Sequence, residues 1–267
     1  MVQPLIETPC SPPLKWAGGK RWLAPLLRER FWSKHARRRL VEPFVGGMAV
    51  ALSLMPERAL LNDVNPHLIN FYCHLKHGLR VGGVRFENSR EVYLANRARF
   101  NALIKNGQAD TAEAALLFYY LNRTCYNGLC RFNRKGFFNV PFGRYKSITY
   151  LTDFGPFRLL LKDWEFRVGD FALVGVEVGD FVYADPPYDV EFTQYSAEDF
   201  TWEDQVRLAR WLAALDVPVV ASNQASERIL DLYSGLGFQI EILQAPRRIS
   251  CNGDRRPSQE MLAYKGV

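Results

Sequence analysis

The 267-residue sequence has no acidic residue between Leu121 and Tyr150, and only one, Glu29, between Lys15 and Arg39. These stretches carry six and nine basic residues, within a net charge of +6. A surface so short of carboxylates is poorly suited to a cationic partner and favours an anionic one. Cysteine is scarce as well. The five (Cys10, Cys73, Cys125, Cys130, Cys251) are odd in number and scattered. The closest pair, Cys125 and Cys130, has no second pair and no neighbouring histidine, which excludes a zinc-finger pattern and predicts reduced thiols. No apolar run approaches membrane length, and no signal peptide is apparent, so a soluble cytoplasmic protein is expected. What is abundant is hydrophobic side chain, at 48%, enough for one large α/β core or a core with an inserted module.

The most informative stretch is Asp185-Pro186-Pro187-Tyr188. It follows Phe181-Val182-Tyr183-Ala184, an apolar run read as a buried strand. Two prolines must end that strand, since proline cannot donate to a sheet ladder. A carboxylate, a proline-fixed carbonyl and an aromatic ring are thereby held at a strand's carboxyl end, where ligands sit in open α/β sheets. The two acceptors suit an NH₂ group and the ring suits a flat base.

Earlier in the chain, residues 1–13 read as a loose tail. Leu14-Lys15-Trp16-Ala17-Gly18-Gly19-Lys20 places paired glycines between lysines, permitting close backbone approach to a ligand. Arg39 to Phe44 reads as a strand, followed by Val45-Gly46-Gly47 and a helix from Met48 to about Met55, the nucleotide-binding opening of a Rossmann-like sheet. The next strand ends at Asp63, which can accept from a ribose diol or cap the helix that Pro66 helps to start. From His67 to Asn122 the pattern is helical, with Ser89 predicted to cap a helix to about Lys105 and Asp110-Thr111-Ala112-Glu113 to form a capping box. The acid-free segment follows, rich in Tyr126, Phe132, Phe137, Phe138, Phe142 and Tyr145. Basic side chains interleaved with aromatics supply phosphate contacts and stacking. Strands are expected at Trp164–Val168, Val217–Ala221, Phe238–Leu243 and Glu260–Tyr264, with helices from Thr201 to Leu215 and Ser226 to Gly235. Arg247 and Arg248 open a basic hairpin tip between the last two strands.

These strings, in this order, resemble the Dam-type DNA adenine-N6 methyltransferases. The similarity runs from Leu14 nearly to Lys265. It rests on Leu14–Lys20, Glu42-Pro43-Phe44-Val45-Gly46, Tyr126-Asn127-Gly128-Leu129-Cys130-Arg131, Phe138-Asn139-Val140-Pro141-Phe142-Gly143 and the Asp185–Tyr188 string. One departure stands out: the family's Phe-x-Gly-x-Gly is Phe44-Val45-Gly46-Gly47-Met48 here, its second glycine one place early. The resemblance implies a Rossmann-like methyltransferase sheet with helices on both faces (14–70 and 151–267) and an inserted, mainly helical target-recognition domain (71–150). It implies S-adenosyl-L-methionine held by Trp16, Lys20, Phe44, Gly46, Asp63, Asp170, Phe171 and Asp185. It also implies DNA contacts from Lys15, Tyr126, Asn127, Leu129, Arg131, Asn133, Pro141 and Tyr145.

The expected chemistry is methyl transfer to N6 of an adenine flipped out of duplex DNA, within GATC or a related site containing GA. Asp185 and the Pro186 carbonyl would accept from N6 while Tyr188 stacks on the base. Arg131 suits a guanine edge, and Lys15 with Arg247 and Arg248 suits phosphates. No metal and no membrane are expected, and the protein should be a monomer in solution with room for more than one copy on DNA. Two readings stand beside this one: methyl transfer to another nucleic-acid or protein amino group, and a non-catalytic DNA-binding module on a methyltransferase scaffold.

Overall fold

The structure, a computed structural model, describes residues 10–188, 200–246 and 258–267. Seven strands build one sheet: β1 (Arg39–Glu42), β2 (Ala59–Asp63), β3 (Trp164–Val168), β4 (Asp180–Ala184), β5 (Val219–Gln224), β6 (Gln239–Ala245) and β7 (Ser258–Lys265). Their spatial order is β3-β2-β1-β4-β5-β7-β6. Pairings from β3 through β5 are parallel, and β7 lies antiparallel between β5 and β6. The order reverses between β1 and β4, so a crevice opens beyond their carboxyl ends.

Eight α-helices accompany the sheet among the described residues: α1 (Ala24–Arg30), α2 (Ala49–Leu54), α3 (Pro66–Lys76), α4 (Arg90–Lys105), α5 (Ala112–Thr124), α6 (Gly155–Leu160), α7 (Trp202–Ala214) and α8 (Glu227–Gly235). Strand side chains alternate between the two sheet faces. Leu40, Leu61, Phe181 and Tyr183 join the core that contains α1 to α3 and α5, whereas Val41, Leu60, Val182 and Ala184 join the core beneath α7 and α8. Burial on both faces explains why β4 reads as a continuous apolar run.

Helix starts follow side-chain chemistry. Ser89 caps α4, and Thr201 with Asp204 forms a reciprocal capping box on α7. At α5 the expected box is a single cap instead: Thr111 accepts from Ala114 N–H, and Glu113 stands one position too early to reach back. At α3 the cap is Asn65, leaving Asp63 for another task.

Helices α4 and α5 and the loop after them share the first core with the sheet. Phe71 of α3 stacks on Tyr119 of α5 at 5.7 Å, and Phe100, Phe118, Phe138 and Val140 belong to the same cluster. The acid-free segment leaves α5 through a 3₁₀ turn at Tyr126–Gly128 and makes two isolated bridges, Cys125 to Phe142 and Phe132 to Phe138. Among the described residues four cysteines are free, no group of side chains could hold a metal ion, and no helix is long and apolar enough to cross a membrane.

Candidate active site and nucleic-acid interface

The Asp185–Tyr188 string leaves β4 at the crevice. Asp185 Oδ1 is gripped twice: by Lys20 Nζ at 2.9 Å and by Ser222 Oγ at 2.9 Å, the latter bonded in turn to Tyr183 OH at 2.8 Å. Lys20 is 3% exposed and Asp185 21%. Burial pushes the Asp185 carboxyl above its usual range, and the Lys20 charge pulls it back toward ionisation. Lys20 also donates to the Gly18 carbonyl, lies 4.7 Å over the Tyr188 ring and stands 3.8 Å from Glu260 of β7. Two further acids therefore surround the pair. Glu260 and the wholly buried Glu42 are both raised, chiefly by burial. The turn itself is anchored by Gln205 of α7, which donates to the Pro187 carbonyl at 2.8 Å and accepts from Asn223.

Around the glycine turn, Trp16 fills the space that side chains would need. A Cβ on Gly46 would lie 2.7 Å from Trp16 Nε1, and one on Gly47 2.6 Å from Trp16 Cβ. Gly46 has φ +44°, and Met48, where the family pattern has its second glycine, is also left-handed at φ +58°. Asp63 accepts from Gly46 N–H and Asn65 N–H at 3.0 Å each, one bond per carboxylate oxygen, so both oxygens keep a free lone pair. Burial raises this carboxyl and the backbone donors oppose the rise.

Phe44, Phe171 and Phe200 pack ring against ring at 5.5 to 6.0 Å. Asp170 caps the short turn that follows β3 and is held by both nitrogens of the Arg207 guanidinium, at 2.7 and 2.8 Å. That fork holds the Asp170 carboxyl below its usual range, and the guanidinium lies 4.2 Å over the Phe171 ring. Trp16, Lys20, Phe44, Gly46, Asp63, Asp170, Phe171, Asp185, Pro186 and Tyr188 thus line one cleft of about 600 Å³. A second cleft, of about 1000 Å³, shares Trp16, Gly18, Gly19 and Tyr188 with the first and adds Lys15, Arg21, Arg123, Gln224, Gln244 and Glu260. The glycine-rich loop and Tyr188 are the wall between them.

The expected DNA-reading residues divide into two sets. Tyr126, Asn127, Arg131, Asn133 and Pro141 are exposed, Asn127 in a left-handed conformation, and Arg131 is steadied by Asn139 at 3.0 Å. Asn133 also builds its own hairpin, accepting from Lys135 and Phe137 N–H. Lys15, Leu129 and Tyr145 are half-buried. Lys15 Nζ donates to the Arg123 carbonyl and sits 3.6 Å over the Tyr145 ring, whose hydroxyl donates to the Cys125 carbonyl. Arg247 and Arg248 lie outside the described residues. Sequence reasoning missed Ser222, Gln205, Glu260 and Arg207, which touch the site only because distant strands and helices converge there. Only the strand-end position of Ser222, Asn223 and Gln224 hinted at this.

The D12 class N6 adenine-specific DNA methyltransferase family model matches residues 16–249. A DNA N-6-adenine-methyltransferase of Escherichia phage P1 is 40% identical over 259 residues, covering 91% of this chain and 33% of the phage protein, so the chain spans about a third of that relative. The type II methyltransferase M.MjaIII of Methanocaldococcus jannaschii is 33% identical, with 92% of this chain and 95% of the relative covered. A DNA adenine methylase of Vibrio cholerae is 36% identical, with 94% of each covered. The sheet order, the strand-end carboxylate with its bound lysine, and these matches together make the chain a member of the D12 class of N6 adenine-specific DNA methyltransferases.

Proposed function

We propose that the protein transfers a methyl group from S-adenosylmethionine to N6 of an adenine extruded from duplex DNA, within GATC or a related site containing GA. One observation carries the reading. Asp185 lines the first cleft, near Tyr188, which lines both clefts; one of its oxygens is fixed by Lys20 and Ser222 and the other has no bonded partner among the described residues.

The first cleft fits S-adenosylmethionine. Its glycine turn has no room for a Cβ, which brings backbone to the cleft surface; Asp63 keeps acceptors for a diol; and Phe44 and Phe171 offer flat apolar surface. When bound, S-adenosylmethionine supplies an electrophilic methyl whose departing sulfur keeps the electron pair of the broken bond. The free oxygen of Asp185 and the Pro186 carbonyl would accept from the N6 amino group and orient its lone pair toward the methyl donor, and the proton that N6 loses would pass by way of that oxygen to solvent. Lys20 and Ser222 keep the carboxylate ionised and oriented, so positioning and electrostatics supply the rate. Lys20 lies over one face of the Tyr188 ring, so the flipped base would stack on the opposite face. Residues 71–150 act as the target-recognition unit, with Arg131 suited to a guanine and Tyr126, Asn127 and Pro141 on the same exposed surface.

Incubating plasmid DNA with the purified protein and labelled S-adenosylmethionine, then mapping the modified adenines, tests both reaction and site. Asp185→Ala should abolish transfer and leave DNA binding in place. Near-normal turnover by that variant overturns the proposal.

A further inference from the structure

We propose that Asn122 is a positioning residue that couples cofactor binding to DNA recognition, by fastening the Lys15–Trp16 backbone to the Tyr126–Arg131 loop. The inference rests on the functional reading above, in which the first cleft takes the cofactor and that loop meets DNA.

Asn122 lies in the last turn of α5 and is 1% exposed. Its side chain is bonded on both ends. Oδ1 accepts from Lys15 N–H at 2.8 Å, and Nδ2 donates to the Lys15 carbonyl at 2.8 Å and to the Gly128 carbonyl at 3.1 Å. One amide thus satisfies both backbone polar groups of Lys15, as a neighbouring strand would, and at the same time holds the turn inside the recognition string. Leaving such buried groups unpaired is expensive, so the three bonds form or break together.

The contact is as close as the chain permits. Gly128 has φ +65°, and a Cβ there would lie 2.4 Å from Lys15 Cβ. Lys15 Nζ reaches over the same loop to the Arg123 carbonyl and the Tyr145 ring. The adjacent residue, Trp16, packs against Gly46 and Gly47 at 2.7 and 2.6 Å from where their Cβ atoms would stand. Two consecutive residues therefore touch the two functional surfaces. A shift of the recognition loop carries Lys15 with it and moves the wall of the cofactor cleft, because close-packed contacts transmit displacement instead of absorbing it.

Contiguity alone does not establish coupling; a reciprocal change in affinities does. The experiment measures the affinity of the full-length protein for a GATC-containing duplex by fluorescence anisotropy, with and without saturating S-adenosylhomocysteine. The cofactor product's affinity is then measured by calorimetry with and without duplex. The wild type should show the same factor in both directions, in the range of about 5- to 150-fold. In Asn122→Ala that factor should fall to about one, the no-coupling limit, with each separate affinity little changed and the KM for each substrate independent of the other. Asn122→Asp, which keeps the acceptor for Lys15 N–H but loses both donors, should behave alike and serves if the alanine variant is unstable. In the wild type, duplex alone should slow hydrogen exchange at the Lys15 amide. A wild-type factor of one, a variant that retains the factor, or unchanged exchange at Lys15 overturns the inference. Failure of the wild type to bind either ligand overturns the functional reading itself.

Discussion

Replacing Lys20 with methionine removes the ammonium against Asp185 while keeping a side chain of similar length. The ammonium is 3% exposed and 2.9 Å from Asp185 Oδ1, with Glu260 at 3.8 Å. Removing one member of a buried ion pair costs about 3–5 kcal/mol, and the partial exposure of Asp185 places this case near the lower end, about 3 kcal/mol. Spent on protonating Asp185 at about 1.36 kcal/mol per pH unit, that energy moves the acid limb of the methylation rate upward by about two pH units. The stability consequence has the same sign. Burial raises the Asp185 carboxyl from its ordinary 3.8, so the folded state binds more protons than the unfolded one, and ionising the group costs stability as pH rises through the folded value. Lys20 offsets that cost only where Asp185 is charged. Wild type and variant should therefore melt closest together near about pH 4 and diverge toward about pH 8. Transfer of labelled methyl groups across this range, with melting temperatures on the same samples, measures both. An acid limb that stays in place together with a melting gap independent of pH refutes the assignment of Lys20 to Asp185.

Two other perturbations follow from the packing. Gly47→Ala places a methyl 2.6 Å from Trp16 Cβ, an atom fixed to its backbone and unable to swing aside. Overpacking of about 1–3 kcal/mol should weaken S-adenosylhomocysteine binding by roughly 5- to 150-fold, and calorimetry showing wild-type affinity contradicts the shape argued for the cleft. His67 is stacked on Phe132 at 4.7 Å and edge-on to Phe100, and burial lowers it from 6.5 to about 4. Its neutral form is favoured in the fold, so stability should fall as pH drops from about 6.5 to about 4, by up to about 3 kcal/mol. His67→Phe keeps a ring and abolishes the titration. Its melting temperature should change less than that of the wild type across this window, and parallel curves sink the explanation.

Most of the sheet was legible because its signals are local. The all-buried run 180–184, the capping residues Ser89 and Thr201 and the Pro-Pro stop each depend on neighbours in sequence. The α5 cap was half-legible: Thr111 has the right chemistry, but the box requires an acid one residue later than Glu113. The residues expected to hold the cofactor were read as motifs, and all of them line one cleft. Their present occupations were not legible. That Asp170 is forked by Arg207, and that the Lys15 ammonium is turned onto Tyr145, depends on partners 37 and 130 positions away. The displaced glycine of the turn is similar. Sequence shows only that it moved; the structure shows that Gly47 makes room for Trp16 while Met48 accepts the left-handed conformation.

Charge at the centre of the site distinguishes Asp185 from its two neighbouring carboxyls. Glu42 of β1 and Glu260 of β7 stand near Asp185 after β4, and Lys20 reaches only Asp185 and Glu260. Glu42 meets no lysine in bonding range among the described residues; its Oε1 is unpartnered, and burial, then the Asp185 charge, push its carboxyl well above its usual range. Glu260 stands almost an ångström farther from Lys20 than Asp185 does, and its Oε2 lacks a hydrogen-bond donor. Asp185 alone has both a contact ion pair and a hydroxyl donor, on the same oxygen, and it is the most exposed of the three. Under the proposed mechanism, the weaker pairing of the neighbouring acids leaves the Lys20 charge to Asp185, the carboxylate assigned to accept from the amino group.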